Sequence, residues 1–114
     1  MADKLEFLEN STSTRPLGTV IWLHGLGADA TDFEPLVPML ELSVDLKFIF
    51  PNAPERSITI NGGAKMRGWY DIDSSGADGT LSDIIESTDS ISSLIEDDIS
   101  NGIPADKITL AGFS

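Results

Sequence analysis

Three apolar runs punctuate the chain, and each ends on residues that a strand cannot easily continue. Thr19 to Leu23 is continuously apolar after the threonine, as a strand covered on both faces requires, and it runs into the glycine-rich stretch His24-Gly25-Leu26-Gly27-Ala28. Leu46 to Phe50 is closed by Pro51, Asn52, Ala53 and Pro54, where proline forbids regular pairing. Ile108 to Ala111 is β-branched and apolar, and it breaks at Gly112, Phe113 and Ser114. Lys4 to Leu8 alternates charged and apolar positions, which predicts a short edge strand followed by polar turn material from Asn10 to Pro16.

Helical spacing fills two of the gaps. Thr31 with Glu34 three positions on forms a capping box for a helix through about Glu41, with Pro35 tolerable in its first turn and Pro38 a kink or a delay. Thr80 with Asp83 predicts a second helix start, and Ile84, Thr88, Ile91, Ile95 and Ile99 recur along one stripe that Leu94 widens. Glu86, Asp89, Ser93, Glu96 and Asp97 occupy the other face, and Asn101, Gly102 and Pro104 stop the helix. Glu55 to Gly79 reads as a long connection, and such connections tend to be functional or disordered. Its aromatic pair, Trp69 and Tyr70, predicts that it is at least partly packed.

Strands alternating with helices predict an α/β fold with a parallel sheet and right-handed crossovers. If the second apolar strand pairs on one side of the first and the third returns to its other side, the strand order reverses beside Thr19 to Leu23. Ligands sit at such a switch point, beyond the carboxyl ends of the strands. Both the glycine loop and Ser114 are expected there.

Composition narrows the partners. At 114 residues the chain is one domain or a piece of one, and its formal charge is -12. No Lys or Arg occurs from Gly68 to Asp106, a stretch that carries Asp71, Asp73, Asp78, Asp83, Glu86 and further acids, so nucleic acid and anionic membranes are disfavoured partners. Without cysteine there is neither a disulfide framework nor a thiolate metal site. Met1 to Arg15 lacks an apolar signal core and no run reaches spanning length, so no stable membrane insertion and a cytoplasmic location are the expectations.

Gly112-Phe113-Ser114 is the first half of a Gly-x-Ser-x-Gly elbow, in which glycines allow a tight turn that lifts a serine hydroxyl clear of the sheet. Ser114 is therefore the candidate nucleophile, with backbone N–H groups of the glycine loop as candidate donors to an oxyanion. Two other patterns compete. Gly25-x-Gly27-x-x-Ala30 fits a dinucleotide fingerprint, but Pro51 and Asn52 stand where its ribose-binding acid belongs. Asp71-x-Asp73-x-Ser75-Gly76 opens like a calcium loop, but Ser82 stands where the bidentate glutamate belongs.

His24-Gly25-Leu26-Gly27-Ala28-Asp29, Phe50-Pro51-Asn52-Ala53-Pro54, Asn61-Gly62-Gly63, Trp69-Tyr70-Asp71 and Ala111-Gly112-Phe113-Ser114, in this order, resemble the carboxylesterase and acyl-protein thioesterase branch of the α/β-hydrolases. The likeness runs from about Leu17 to Ser114 and implies that residues 1–114 are the N-terminal part of a single α/β-hydrolase domain, a mainly parallel sheet flanked by helices, ending at the nucleophile elbow. It implies Ser114 as nucleophile, Leu26 as an oxyanion-hole residue through its N–H, and Trp69 and Ile72 near an acyl-binding channel. The substrate it implies is a small ester or thioester, or an acylated protein; no metal or organic cofactor is required, and a homodimer stays open. In this family the acid and base follow the serine along the chain, so the 114-residue polypeptide alone is expected to be inactive. His24, placed before the serine, matches a structural histidine and not the base. A non-catalytic module that associates with a partner is the rival reading.

Overall fold

The computed structural model describes residues 5–11, 13–73 and 78–113. A four-stranded sheet carries the architecture, in the order β1(Phe7–Ser11), β3(Leu46–Pro51), β2(Gly18–Leu23), β6(Ile108–Gly112). β2 is parallel to both β3 and β6, while β1 is antiparallel to β3. The chain thus leaves β2 to one side for β3 and returns to the other side for β6, which is the reversal expected from the sequence.

Alternation along each strand divides the core into two layers. Ile21 and Ile49 face the long helix α1(Asp78–Ser100) and pack with Ile91 and Leu94. Phe48 and Phe50 face the opposite side, where Ala30 and Val37 complete a second cluster, joined by Trp22 and Phe33. Trp22 stacks on Phe33 at 4.8 Å between ring centroids. Each such fully buried side chain contributes about 1.5–3 kcal/mol of transfer free energy.

Four expectations need correction. The edge strand runs from Phe7 to Ser11, later than Lys4 to Leu8, because Phe7 to Ser11 lies in register with Pro51 to Lys47; Lys4 itself lies outside the described residues. The helix expected from Thr31 to Glu41 is a 3-10 helix, Glu34–Met39, whose N-cap is Phe33 without a side-chain bond. Pro38 removes an amide that an α-helix needs, and the Thr31 hydroxyl donates to Asp29 instead of capping. The long connection holds an antiparallel hairpin, β4(Glu55–Ile58) and β5(Ala64–Arg67), joined through left-handed Gly62 and Gly63. α1 begins at Asp78, so Thr80 lies inside it, and the Thr80 hydroxyl donates to the Asp71 carbonyl at 2.8 Å.

The buried face of α1 is also turned from the predicted stripe. Ser87, Ser90, Ile91, Leu94 and Asp98 are buried, whereas Ile84, Thr88 and Ile99 are exposed. Polar anchors account for the turn. Ser87 donates to the Trp69 carbonyl, and Asp98 forms an ion pair with Lys47 of β3. Among the described residues β6 pairs only with β2, leaving Leu110 and Phe113 exposed.

Candidate active site

Strand register brings the glycine loop and the end of β6 together. Leu23, the last residue of β2, lies opposite Gly112, the last of β6, and the Phe113 N–H donates to the Leu23 carbonyl at 3.2 Å. The loop that begins at His24 therefore leaves the sheet beside Phe113. Ser114 lies outside the described residues.

The loop is held from several sides. Gly27 takes a φ of +78°, which glycine adopts without strain, and its N–H donates to the Arg67 carbonyl of β5 at 2.9 Å. The Ala28 N–H donates to the Gly25 carbonyl and the Ala30 N–H to Oδ1 of Asn52 at 2.7 Å. The Leu26 N–H finds no acceptor among the described residues. An amide left without an acceptor beside the engaged Gly27 N–H is the arrangement that an oxyanion donor requires.

His24 is fully engaged. Its Nε2 accepts from the Ala53 N–H at 3.0 Å, so the ring proton sits on Nδ1, which donates to the Gly25 carbonyl at 2.8 Å. The ring is buried and lies 5.2 Å from that of Trp69, whose Nε1 donates to the His24 carbonyl at 2.9 Å. This histidine ties the loop to the turn after β3. With both nitrogens used inside the fold, it has no free lone pair for a proton from a nucleophile.

Among the described residues, Asp29 and Asp71 have carboxyls held below their ordinary range. The Thr31 hydroxyl and amide hold the Asp29 carboxyl below its ordinary 3.8, and those of Thr59 do the same for Asp71. Asp71 is thereby a fastener for the hairpin. Thr59 donates to it through N–H at 2.7 Å and Oγ1 at 2.6 Å. In the competing calcium pattern Asp71 and Asp73 are described, whereas Ser75 and Gly76 lie outside the described residues.

Beside these elements lies an open apolar cavity of about 440 Å³ between α1 and β6. Trp69 lines it with Leu23, Tyr70, Ile84 and Leu110. Ile72 does not, and its carbonyl instead accepts from the Ile60 N–H at 2.9 Å. The dinucleotide reading meets a physical obstacle here. It needs a helix N-terminus directly after the glycine loop, but the first helical turn begins only at Glu34, and Asn52 already holds the Ala30 amide.

The parts that sequence reasoning missed are Asn52, Arg56 and the Arg67 carbonyl. Backbone carbonyls carry no sequence signature, and the short strands β4 and β5 are too polar to stand out from a loop. The paired Thr59 and Asp71 were separated by a glycine-rich turn that hid their proximity.

A mainly parallel sheet that reverses its order at β2, with a glycine loop and the Gly112-Phe113 step on neighbouring strand ends, is the frame of an α/β-hydrolase. The profile of the phospholipase/carboxylesterase family matches residues 8–114, and the chain belongs to that family. It is 38% identical over 117 residues to acyl-protein thioesterase 1 of Schizosaccharomyces pombe, covering 100% of this chain and 52% of that protein. A probable carboxylesterase of Oryza sativa is 32% identical over 91% of this chain and 41% of its own length. Among solved structures, Arabidopsis thaliana SOBER1 superposes with a TM-score of 0.76 at 28% identity, covering 85% of this chain and 49% of that one. Zea mays acyl-protein thioesterase 2 gives 0.72 at 29% identity, covering 94% and 46%. The chain spans about half the length of the curated relatives it matches. Among the described residues no helix is long and apolar enough to cross a membrane.

Proposed function

We propose that the protein is a serine hydrolase of carboxylic esters or thioesters, of the carboxylesterase and acyl-protein thioesterase type, with Ser114 as nucleophile. The single observation that carries this reading is the pairing of Leu23 with Gly112, which sets the Leu26 amide, without an acceptor among the described residues, on the same rim as the residue before the serine. The Ser114 Oγ attacks the carbonyl carbon and its proton passes to a base, while the Leu26 N–H stabilises the negative charge on the carbonyl oxygen. Collapse expels the alcohol or thiol, reprotonated by the same base, and leaves an acyl ester on Ser114. Water then attacks that ester and releases the carboxylic acid and the free serine.

His24 is not that base, because Ala53 and Gly25 occupy both of its nitrogens. The base and its orienting acid come, on this reading, from the part of the family's length that the chain does not span. The 114-residue chain alone is therefore inactive. The exposed edge of β6 and the apolar cavity beside it support the companion reading, a half-domain that works only in association with the rest of an α/β-hydrolase fold. The relatives named as thioesterases support a thioester substrate, including an acylated protein. Trp69 is proposed to contact the acyl chain from the cavity wall, and Ile72 to flank it.

The test is hydrolysis of a short chromogenic ester and its thioester counterpart by the protein carrying its complete fold. Both activities vanish in Ser114→Ala. Activity that persisted would show that the nucleophile is another residue.

A further inference from the structure

Arg56 of β4 sits where the hairpin, α1 and the glycine loop meet. Its Nε donates to the Gly68 carbonyl at 2.8 Å, and one terminal nitrogen pairs with Oδ1 of Asp83 on α1 at 2.9 Å. The other terminal nitrogen lies 3.6 Å from Glu86 and has no closer acceptor. Asp83 uses its second oxygen to accept the Asp71 N–H at 2.9 Å. A guanidinium can serve a carbonyl and a carboxylate at once because its donors form a rigid planar fork.

The segment gripped in this way, Arg67-Gly68-Trp69, is the one that holds the glycine loop. The Arg67 carbonyl accepts from the Gly27 N–H, Trp69 Nε1 donates to the His24 carbonyl, and the Leu26 side chain lies over Gly68, where a side chain would collide with it. A Cβ at Gly68 would stand 3.2 Å from Leu26 Cδ1 and 3.1 Å from Ile58 Cδ1. The His24 carbonyl and the Gly27 N–H belong to the peptide groups on either side of the Gly25–Leu26 peptide, whose own carbonyl accepts from His24 Nδ1 and the Ala28 N–H, so the outer two bonds set the frame in which the Leu26 N–H is aimed.

The geometry points to Arg56 as a positioning residue that aims the Leu26 N–H, an inference that rests on the hydrolase reading above. Arg56 touches no substrate; it acts through Gly68, Arg67 and Gly27. Its contribution falls on the step in which negative charge develops, since a misaimed donor weakens binding of the oxyanion more than binding of the ester.

The experiment compares Arg56→Met, Arg56→Lys and Asp98→Asn in the protein carrying its complete fold, reading ester kinetics, thermal stability and exchange of the Gly27 amide. Arg56→Met lowers kcat about ten- to hundred-fold, as a displaced reacting group does, and leaves KM within about two-fold. Arg56→Lys keeps the charge facing Asp83 but cannot also reach the Gly68 carbonyl, so it recovers Tm without recovering kcat. Asp98→Asn, at the far end of α1, lowers Tm but leaves kcat and Gly27 exchange as in the parent. The Gly27 amide exchanges at least about ten-fold faster in Arg56→Met, reporting a local opening. Unchanged Gly27 exchange, or a kcat loss no larger than that of Asp98→Asn, overturns the inference. A parent protein that hydrolyses no ester refutes the hydrolase reading alone, while Gly27 exchange still decides whether Arg56 holds the loop.

Discussion

Replacing Asp98 by asparagine removes the charge that fastens the C-terminal half of α1 to the sheet. The Asp98 side chain is 1% exposed and that of Lys47 14%, so the pair is shielded from water on nearly every side. Both Asp98 oxygens are buried and receive no hydrogen bond beyond the Lys47 contact, so the ammonium is their only compensation among the described residues. Removing one member of a buried pair costs about 3–5 kcal/mol because the other charge is left stranded. Partial exposure of Lys47 lets its ammonium reach solvent, which favours the lower end, about 3 kcal/mol. A folded domain holds only about 5–15 kcal/mol in total, so the loss is a large share of the whole. At about 4 °C per kcal/mol for a chain of this size, Tm falls by about 12 °C. Urea unfolding followed by the fluorescence of Trp22 and Trp69 measures the change. The matched apolar pair, Lys47→Met with Asp98→Leu, stays within about 1 kcal/mol of the parent or exceeds it, because no charge then remains to be desolvated. An Asp98→Asn protein that lost under about 1 kcal/mol would place the pair with exposed surface pairs and refute the reasoning.

Three further outcomes follow from the loop and the hairpin. Gly27→Ala forces a Cβ into a φ of +78° and costs about 1–2 kcal/mol, measured by urea unfolding; the space around it is open, with only Met66 Sδ at 3.7 Å, so the loss is backbone strain and not a clash. His24→Phe keeps the ring beside Trp69 but strands the buried Ala53 N–H, lowering stability by about 1–3 kcal/mol in the same assay. Asp71 has a folded-state pKa below its ordinary 3.8 because Thr59 bonds its carboxylate, so its contribution is complete above that value and is lost as pH falls through the lower folded value. Thr59→Val therefore flattens the acid limb of a Tm-against-pH profile below about pH 4 while leaving its neutral part little changed.

Strand positions and topology were legible in the sequence because buried parallel strands leave continuous apolar runs that prolines and glycines punctuate. Thr19 to Leu23, Leu46 to Phe50 and Ile108 to Gly112 are such runs, and their parallel pairing follows from the helical spacing between them, whereas their order entered only as a condition that the structure meets. The stretch between Thr31 and Glu41 misled because a capping box describes only the first turn, whereas Pro38 acts on the turn after it. The face of α1 misled for a different reason. Counting isoleucines ranks positions by hydrophobicity, but Ser87 and Asp98 are buried by the partners they find on Trp69 and Lys47, which a one-dimensional pattern cannot supply. Of the candidate site, the glycine loop from His24 to Ala28 could be marked from the sequence, and the contacts of Asn52, Arg56 and the Arg67 carbonyl could not, since these depend on which groups meet across the fold.

The β4–β5 hairpin is fastened at its root and on the Thr59 side of its turn, and is open only at the glycines of its tip. No atom lies within 4 Å of where a Cβ at Gly62 or Gly63 would project, whereas one at Gly68, at the root, would meet neighbours at 3.1 Å and 3.2 Å. Lengthening or decorating the tip therefore leaves the root undisturbed, provided the left-handed turn is kept. Natural variation has a place there to lengthen the turn without disturbing the close packing at Gly68.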